Sequence, residues 1–583
     1  MSYFADQSGH SFIANLREDT LREIATAKSQ LQDIWSLPLE TRVKKGHSLG
    51  PLRTLRLSDK RLHLSHETAL SRDNFSRIRE GDLLRLTANL PETRGCRASF
   101  YEDDGETITV ELLDALPETL PSTGLTLDPD FFDPTDRFLA ALDALQTTEH
   151  GREVVLPLLE GGQDGATDLE TYEDELDALE ALPADEQFHS SQSEAIALCI
   201  AASRFHLVQG PPGTGKTHVL SEVAARLIAR GHRVLLTGPT HRSIDHALRA
   251  CRRRISAETP IAKISRVNFD PSSPVAHFER FSDAELPEDA PYLIGSTPHN
   301  LWSSASGLMS QFFDTVLLDE SSQLTLMLAT LALLRGERFL FFGDHCQLPP
   351  VRLSASLLDT ESQSIFLKLR KADSTTMLTE SWRLNRELAE WPSATFYDNR
   401  LEARFDRRLS LSPASPHPAL QPSPSFVAIR HDEENATSRS AEEGELLAEL
   451  ILDLLRGGLS PSEIAVVTPF RSQAALIRRI LRTRSEFSDW PVRELLADTV
   501  ERLQGQEREV ILISFAASQS DFILPLASFL LDEKRLNVAI TRARRKTILI
   551  HSQTLLAVAR SLADSEGDEA RGANAFCSLL DNP

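Results

Sequence analysis

The residues best suited to chemistry lie in Gly210-Pro211-Pro212-Gly213-Thr214-Gly215-Lys216-Thr217, a full match to the phosphate-loop pattern G-x-x-x-x-G-K-[ST]. Glycines in such a loop let backbone N–H groups approach a phosphate closely, and a helix starting there adds the positive end of its dipole. Lys216 would reach the outer phosphates of a nucleotide, and the Thr217 hydroxyl can ligate Mg²⁺. A second pair, Asp319-Glu320, ends the apolar run Val316-Leu317-Leu318. Transfer of a phosphoryl group to water needs one carboxylate on the metal and one on the attacking water, and Asp319 and Glu320 fit those two roles.

Such groups need rigid elements behind them. Phe205–Val208 reads as a buried strand entering the loop. His218–Arg230 reads as the helix leaving it, with Val219, Leu220, Val223, Leu227 and Ile228 on one face and Gly231 as the stop. Between 187 and 374, Phe205–Val208, Val234–Thr237, Tyr292–Ile294, Thr315–Leu318 and Phe339–Phe342 alternate with helical patterns, which predicts a parallel sheet covered by helices. The alternation resumes over 375–583 with Ser425–Ile429, Ile464–Val467, Val510–Ser514 and Thr547–Ile550, a second α/β domain. Its Ser- and Pro-rich stretch 410–424 reads as an exposed loop.

Three smaller pieces precede these domains. Residues 1–11 read as frayed, and within 1–38 the spacing of Ile13, Leu16, Leu21, Ile24, Leu31 and Ile34 predicts one amphipathic helix. Over 39–120 the apolar period drops to two, with a turn at Gly81-Asp82 and a hairpin at Asp104-Gly105, the pattern of a small antiparallel barrel. Its early cations Arg42, Lys44, Lys45, Arg53, Arg56, Lys60 and Arg61 either follow a phosphate backbone or form a solvated strand face. Residues 121–186 hold a helix at Pro134–Leu145, with Asp133 as its cap candidate, and an acidic connector.

The net charge of −23 is uneven: eleven carboxylates and no Lys or Arg fall between Glu160 and Glu186. That run reads as a solvated linker or exposed helix face, with a docking segment for a protein partner as the alternative. The five cysteines form no C-x-x-C pair, which argues against structural zinc, iron–sulfur clusters and a disulfide framework. No run of eighteen apolar residues and no signal-like N-terminus occurs, so the expectation is a soluble, cytoplasmic chain without a membrane partner.

Four further strings complete the pattern: Asp319-Glu-Ser-Ser-Gln323, Gly343-Asp-His-Cys-Gln-Leu-Pro-Pro350, Thr499-Val-Glu-Arg-Leu-Gln-Gly-Gln-Glu507 and Arg535-Leu-Asn-Val-Ala-Ile-Thr-Arg-Ala-Arg544. In this order they resemble the motifs of superfamily 1 helicases, class B, in the branch of the nonsense-mediated-decay and immunoglobulin mu-binding helicases. The resemblance runs from Gln192 to Arg544 and implies two tandem RecA-like domains, with the helix and barrel as accessories. It implies that Gln192 reads adenine, Gln347 senses the γ-phosphate, Asp344 couples that contact to the nucleic-acid side, and Glu507 touches ribose. Arg383 and Arg542 would reach the γ-phosphate, and Arg544 would support them through an ion pair. In Leu378-Thr-Glu-Ser-Trp-Arg383 this chain has Ser381 and Trp382 where the family has Gln and Tyr; the Trp382 ring still offers adenine a flat face.

The resemblance also implies strand contacts at Pro239, Thr240, His241, Ser296, Thr297, Thr468, Pro469, Phe470 and Thr499, with His241 and Ser243 where relatives often carry Asn and Ala. The implied activity is ATP hydrolysis with Mg²⁺, driving 5′→3′ movement on single-stranded DNA or RNA and unwinding of duplex by a monomer. An ATP-switched clamp that binds nucleic acid and a protein partner without processive unwinding is the competing reading. The cysteine-histidine domain of the decay helicase and the cluster-binding cysteines of nuclease-helicases have no counterpart here.

Overall fold

One helix, Ser2–Ser36, opens the chain, so the segment expected to fray is helical from Ser2 onward. Ile13, Leu16 and Ile24 lie buried along it, as their spacing requires. Its end is fastened where the Trp35 indole Nε1 donates to the Pro129 carbonyl at 2.9 Å and the Arg85 guanidinium lies 5.0 Å from the Trp35 ring. The computed structural model describes residues 2–58, 60–68, 78, 81–88, 91, 95–103, 107–161, 165–267, 270, 272–286, 290–358, 363–413, 415, 417–503 and 505–581, without the side chains of 2–10, 372 and 568.

Six strands, β1 (Leu49–Ser58), β2 (Arg61–His66), β3 (Leu83–Thr87), β4 (Cys96–Asp103), β5 (Ile108–Leu112) and β6 (Leu125–Pro129), close an antiparallel barrel in the order β1-β2-β5-β4-β3-β6. Leu52, Leu62, Leu64, Leu84, Ile108 and Val110 fill it, alternating with outward residues as the pleat dictates. The expected turn at Asp104-Gly105 lies outside the described residues; β4 and β5 on either side of it pair antiparallel. Arg42 does not join a phosphate-tracking face. It is 2% exposed, its Nε donates to Asp128 Oδ1 at 2.9 Å, and its Nη1 donates to the Leu37 carbonyl at 2.7 Å. Burial at the barrel mouth consumes this cation, because a buried charge persists only with such partners.

The chain divides into two compact units, Met1–Asp164 with Ala224–Leu340 and Pro350–Arg370, and Gly165–Val223 with Phe341–Pro349 and Lys371–Pro583. Beside the barrel, the first unit holds strands in the order Ala276–Phe278, Ile261–Ile264, Tyr292–Gly295, Arg233–Thr237, Phe313–Leu318 and the start of Gly336–Gly343. The first four run parallel, and Phe313–Leu318 runs parallel to Arg233–Thr237. Such strands are covered on both faces, which is why they read as unbroken apolar runs.

In the second unit Thr375–Met377 pairs in parallel with Phe205–Gln209. A five-stranded parallel sheet follows in the order Phe426–His431, Ala543–Ser552, Arg508–Ser514, Ile464–Val467, Leu496–Asp498. The acidic segment forms a helix, Leu169–Glu180, capped by Asp168 and packed on Ser190–Ala201, with Leu179 and Glu175 buried and Glu173, Asp174, Asp177 and Glu180 outward. The Ser- and Pro-rich stretch is exposed at Ser410, Ser412, Pro413, Pro418 and 421–424, but Ser415, Ala419 and Leu420 within it are buried. The Lys546 ammonium, fully enclosed, donates to the Gln421 and Pro424 carbonyls at 2.5 and 2.6 Å, so the loop's backbone is satisfied from inside.

Candidate nucleotide-binding site

The phosphate loop sits in the second unit between the fully buried strand Phe205–Gln209 and the helix Lys216–Ala229. Gly213 and Gly215 hold φ of +76° and +82°, a region other residues adopt only at a cost. A Cβ on Gly213 would lie 2.5 Å from the Arg383 Cβ and 2.6 Å from the Ser381 Oγ; one on Gly215 would lie 2.7 Å from the Gln192 Nε2. The loop is therefore a cradle of bare backbone, which suits a phosphate chain. The Thr214 hydroxyl donates to the Pro211 carbonyl at 2.8 Å and tightens the curl, while the Gly210 N–H donates to the Gly343 carbonyl at 2.9 Å.

Around the cradle the side chains are already bonded to one another. Gln192 is buried; its Nε2 donates to the Thr214 carbonyl at 2.9 Å and its Oε1 accepts the His189 N–H at 3.2 Å, capping the helix Ser190–Ala201. Asp344, also buried, accepts from the Gln347 Nε2 and the Tyr397 hydroxyl, both at 2.8 Å, and from the Gln209 Nε2 at 3.3 Å. Burial pushes the Asp344 carboxyl above its ordinary range in spite of those hydrogen bonds. Gln347 in turn accepts from the Arg542 Nη2 at 2.7 Å. Arg542 is 3% exposed, and its Nε donates to the Val538 carbonyl at 3.1 Å.

The Arg383 Nε donates to the Glu507 Oε2 at 2.7 Å and its Nη1 to the Thr541 carbonyl at 3.1 Å. Arg544 pairs with Glu507 and, at 3.2 Å, with Glu509, so it is an ion-pair support. Burial works to raise the Glu507 carboxyl, but Arg383 and Arg544 outweigh it and hold the group below its usual range. The Ser381 hydroxyl donates to the Pro212 carbonyl at 2.8 Å and accepts the Leu384 N–H at 3.2 Å, linking this segment to the loop without the family's amide. Trp382 is no core residue: it is 44% exposed, its N–H donates to the Gly213 carbonyl at 2.8 Å, and its ring stands edge-on to Phe405.

Two members of this network are absent from the sequence reading. Asn537 donates through Nδ2 to the Cys346 carbonyl at 2.9 Å and to the Tyr397 hydroxyl at 3.0 Å, so it and Tyr397 hold Asp344 from behind. Asn537 does lie inside the string Arg535–Arg544, whereas nothing in the sequence marks Tyr397.

In the first unit Asp319 is buried at the end of Phe313–Leu318, its N–H bonded to the Thr237 carbonyl at 2.8 Å. Glu320 follows with φ of +50°, and its Oε2 accepts the Gln323 Nε2 at 3.0 Å. A non-glycine residue held in the left-handed region stores strain of a kind that clusters at functional sites. Pro239 and Thr240 follow Arg233–Thr237, and Thr240 caps the helix His241–Arg254 by accepting the Ser243 N–H at 3.1 Å. Ser296 is buried and donates to the Ile264 carbonyl at 2.9 Å; Thr297 stands before the short helix Pro298–Leu301. The His241 ring keeps an enclosed Nδ1 with no hydrogen-bond partner among the described residues. Burial, with Lys263 and His277 nearby, drives its pKa down to about 3, so it is neutral.

In the second unit Thr468 is buried and accepts the Phe470 N–H at 3.3 Å across Pro469. The Phe470 ring rests 5.6 and 6.1 Å from those of Phe522 and Phe529. Thr499 is 5% exposed, and its hydroxyl lacks a partner among the described residues. Ser296 and Thr468 are thus bonded internally, whereas His241 and Thr499 keep a polar atom open.

A glycine cradle at the head of a helix, fed by a parallel strand and followed by a strand ending in two carboxylates, defines a phosphate-loop NTPase. Two family models, each described as an AAA domain, match the chain, one over 187–286 and 292–355 and the other over 361–554. These matches, with the helicase relatives that follow, support a superfamily 1 helicase. It is 27% identical over 405 residues to the DNA replication ATP-dependent helicase/nuclease JHS1 of Arabidopsis thaliana, covering 65% of this chain and 29% of that protein. It is 29% identical over 410 residues to the DNA replication ATP-dependent helicase/nuclease DNA2 of Mus musculus, covering 63% and 37%. It is 26% identical over 435 residues to the DNA polymerase alpha-associated DNA helicase A of Schizosaccharomyces pombe, covering 62% and 63%. The chain therefore spans well under half the length of the helicase/nuclease relatives. Among the described residues no helix is long and apolar enough to cross a membrane.

Proposed function

We propose that this chain is a nucleic-acid-dependent ATPase that moves 5′→3′ along a single strand of DNA or RNA and separates duplex. The observation that carries the reading is the network in which Arg542 holds Gln347, and Arg383 backs onto Gly213 of the phosphate loop. Lys216 takes the outer phosphates, and the bare backbone of Gly210–Gly215 receives their oxygens through N–H groups. Arg383 and Arg542 supply guanidinium charge where negative charge builds up during transfer. Asp344 keeps Gln347 aimed, with Tyr397 and Asn537 behind it. Glu320 would orient and deprotonate the attacking water, and Thr217 and Asp319 would hold Mg²⁺. When bound, that ion supplies Lewis-acid charge to the phosphate oxygens. Gln192, Trp382 and Glu507 contact the nucleoside, and the residues from Pro239 to His241, Ser296, Thr297, Thr468 to Phe470 and Thr499 face the strand. The motif strings favour the branch of the decay and mu-binding helicases.

The test is a titration of ATPase rate against matched single-stranded DNA and RNA at one salt concentration, since backbone binding changes steeply with salt. Stimulation by one or both is expected, and Lys216→Ala should abolish it. No stimulation by either polymer, or a Lys216→Ala protein with full activity, sinks the reading. Strand displacement on a tailed duplex separates an unwinding enzyme from a clamp that hydrolyses ATP without opening base pairs.

A further inference from the structure

The segment that carries Trp382 keeps one polar group that hydrolysis does not use. Glu380 and Ser381 pair in parallel with Glu402 and Ala403, and the Arg404 N–H donates to the Ser381 carbonyl at 2.8 Å. In an extended segment alternate side chains share a face. The Ser381 hydroxyl turns to the Pro212 carbonyl of the phosphate loop, and Glu380 and Trp382 turn the other way. Arg404 meets both: its Nη1 donates to the Glu380 Oε1 at 3.3 Å, and its guanidinium carbon lies 5.5 Å from the Trp382 ring centre. The Glu380 side chain is 13% exposed, and its Oε2 is enclosed with no hydrogen-bond partner among the described residues. A carboxylate oxygen in that state is costly, and a donor brought by a ligand would relieve the cost.

The other groups near this segment are poor readers of a base. Gln192 is 4% exposed, and each end of its amide already serves the protein, at the Thr214 carbonyl and the His189 N–H. Trp382 offers only a ring face, and stacking on a face is tolerant because every base has one. We infer that Glu380 reads the base: a purine stacked on Trp382 donates its 6-amino group to Oε2 while Arg404 keeps Oε1. The inference rests on the nucleotide site proposed above and names its preferred substrate as the amino purine, adenine, over an oxo purine. An amino group donates to a carboxylate, whereas an oxo group in its place sets a lone pair against it. The backbone ladder holds Glu380 and Arg404 side by side, and the Trp382 N–H on the Gly213 carbonyl at 2.8 Å ties the reader to the phosphate loop.

The experiment compares ATP with inosine triphosphate, which carries an oxo group where ATP carries the amine, by steady-state hydrolysis with single strand at saturation. The intact protein should favour ATP in kcat/KM by about tenfold to a hundredfold, the worth of a hydrogen bond to a charged group, with the difference in KM. Glu380→Gln keeps an oxygen for Arg404 and turns an amide NH₂ toward the base, which suits an oxo group. The ratio should then fall to one or below, in part through faster hydrolysis of inosine triphosphate, a gain that misfolding cannot produce. An intact protein that uses both nucleotides alike, or a Glu380→Gln protein with an unchanged ratio, overturns the proposal. So does an intact protein that prefers GTP to ATP, since the carboxylate would then serve the guanine edge. Failure to hydrolyse any of these nucleotides with strand present overturns instead the function on which the proposal rests.

Discussion

The residues proposed to face the nucleotide's phosphates and two of those proposed to face the strand, His241 and Thr499, differ in how their polar atoms are satisfied. Around the phosphate loop, Gln192, Asp344, Gln347, Ser381, Arg383 and Arg542 all have hydrogen-bond partners within the protein. Among the residues proposed to face the strand, Ser296 and Thr468 are bonded internally, but the Thr499 hydroxyl and the His241 Nδ1 are enclosed without a partner among the described residues. An enclosed polar atom left unbonded costs about 1–3 kcal/mol. The first region is thus stable and preorganised before ligand arrives, as transition-state stabilisation requires. The second holds polar atoms whose cost a ligand can relieve, which suits a strand that must be gripped and released.

The largest test bears on the preorganised side. Arg542→Ala should lower kcat for ATP by about 10³ with strand present at saturation, the scale of an arginine finger, and Arg542→Lys should recover little because an ammonium cannot serve Gln347 and phosphate with one planar fork. Arg383→Ala should also lower kcat, and it should fold, since Glu507 keeps Arg544 as a partner. If Arg383→Ala changed stability and left kcat untouched, that arginine would be a structural tie and the contrast between the regions would fail. Steady-state ATPase and thermal unfolding on the same preparation decide it.

Tyr397→Phe tests the next level. Burial already raises the Asp344 carboxyl, and the hydrogen bonds from Gln347 and Tyr397 oppose that rise. A carboxylate whose folded pKa lies above its unfolded one contributes stability below the unfolded pKa and loses it as pH climbs through the folded one. Ionised Asp344 is therefore a cost at neutral pH that the Tyr397 hydroxyl reduces. Removing the hydroxyl should cost about 1.5–3 kcal/mol at neutral pH, the range for a bond to a charged group. The difference should shrink in acid, and the acid limb of the ATPase profile should move to higher pH. Urea unfolding at two pH values and a pH–rate profile check both signs; an unmoved acid limb would separate Asp344 from catalysis.

What could be read from the chain alone follows from how local each signal is. The phosphate loop, the strands on either side of it and the Asp319-Glu320 strand end are contiguous strings whose period and glycine positions carry the information. Arg42 failed as a strand-facing cation because its partner, Asp128, stands 86 residues away. The stretch 410–424 is mostly exposed as its composition suggests, but its anchor was not legible, because Lys546, more than a hundred residues on, feeds its carbonyls from inside. Tyr397 was invisible for the same reason, and Asn537, though inside the string Arg535–Arg544, gave no sign of its partner: a hydrogen bond across 140 residues leaves no periodicity.

The smallest effect gives the sharpest contrast, because its sign differs between the regions. Thr499→Val replaces a 5% exposed, unpartnered hydroxyl by a methyl of the same shape. In the free protein this removes a desolvation cost and loses no bond, so unfolding free energy should rise by about 1 kcal/mol. In the complex the same change removes the hydroxyl a strand would use, so affinity for single strand should fall by a factor of several at fixed salt. Ser381→Ala, on the nucleotide side, deletes a bonded hydroxyl and leaves the Pro212 carbonyl without its donor, so stability should fall, while strand affinity measured without nucleotide should hold. Equilibrium unfolding and anisotropy on the two variants give four signs. A Thr499→Val protein that lost stability would mean its hydroxyl is satisfied in solution, and the division between prebonded and waiting polar groups would then rest on His241 alone.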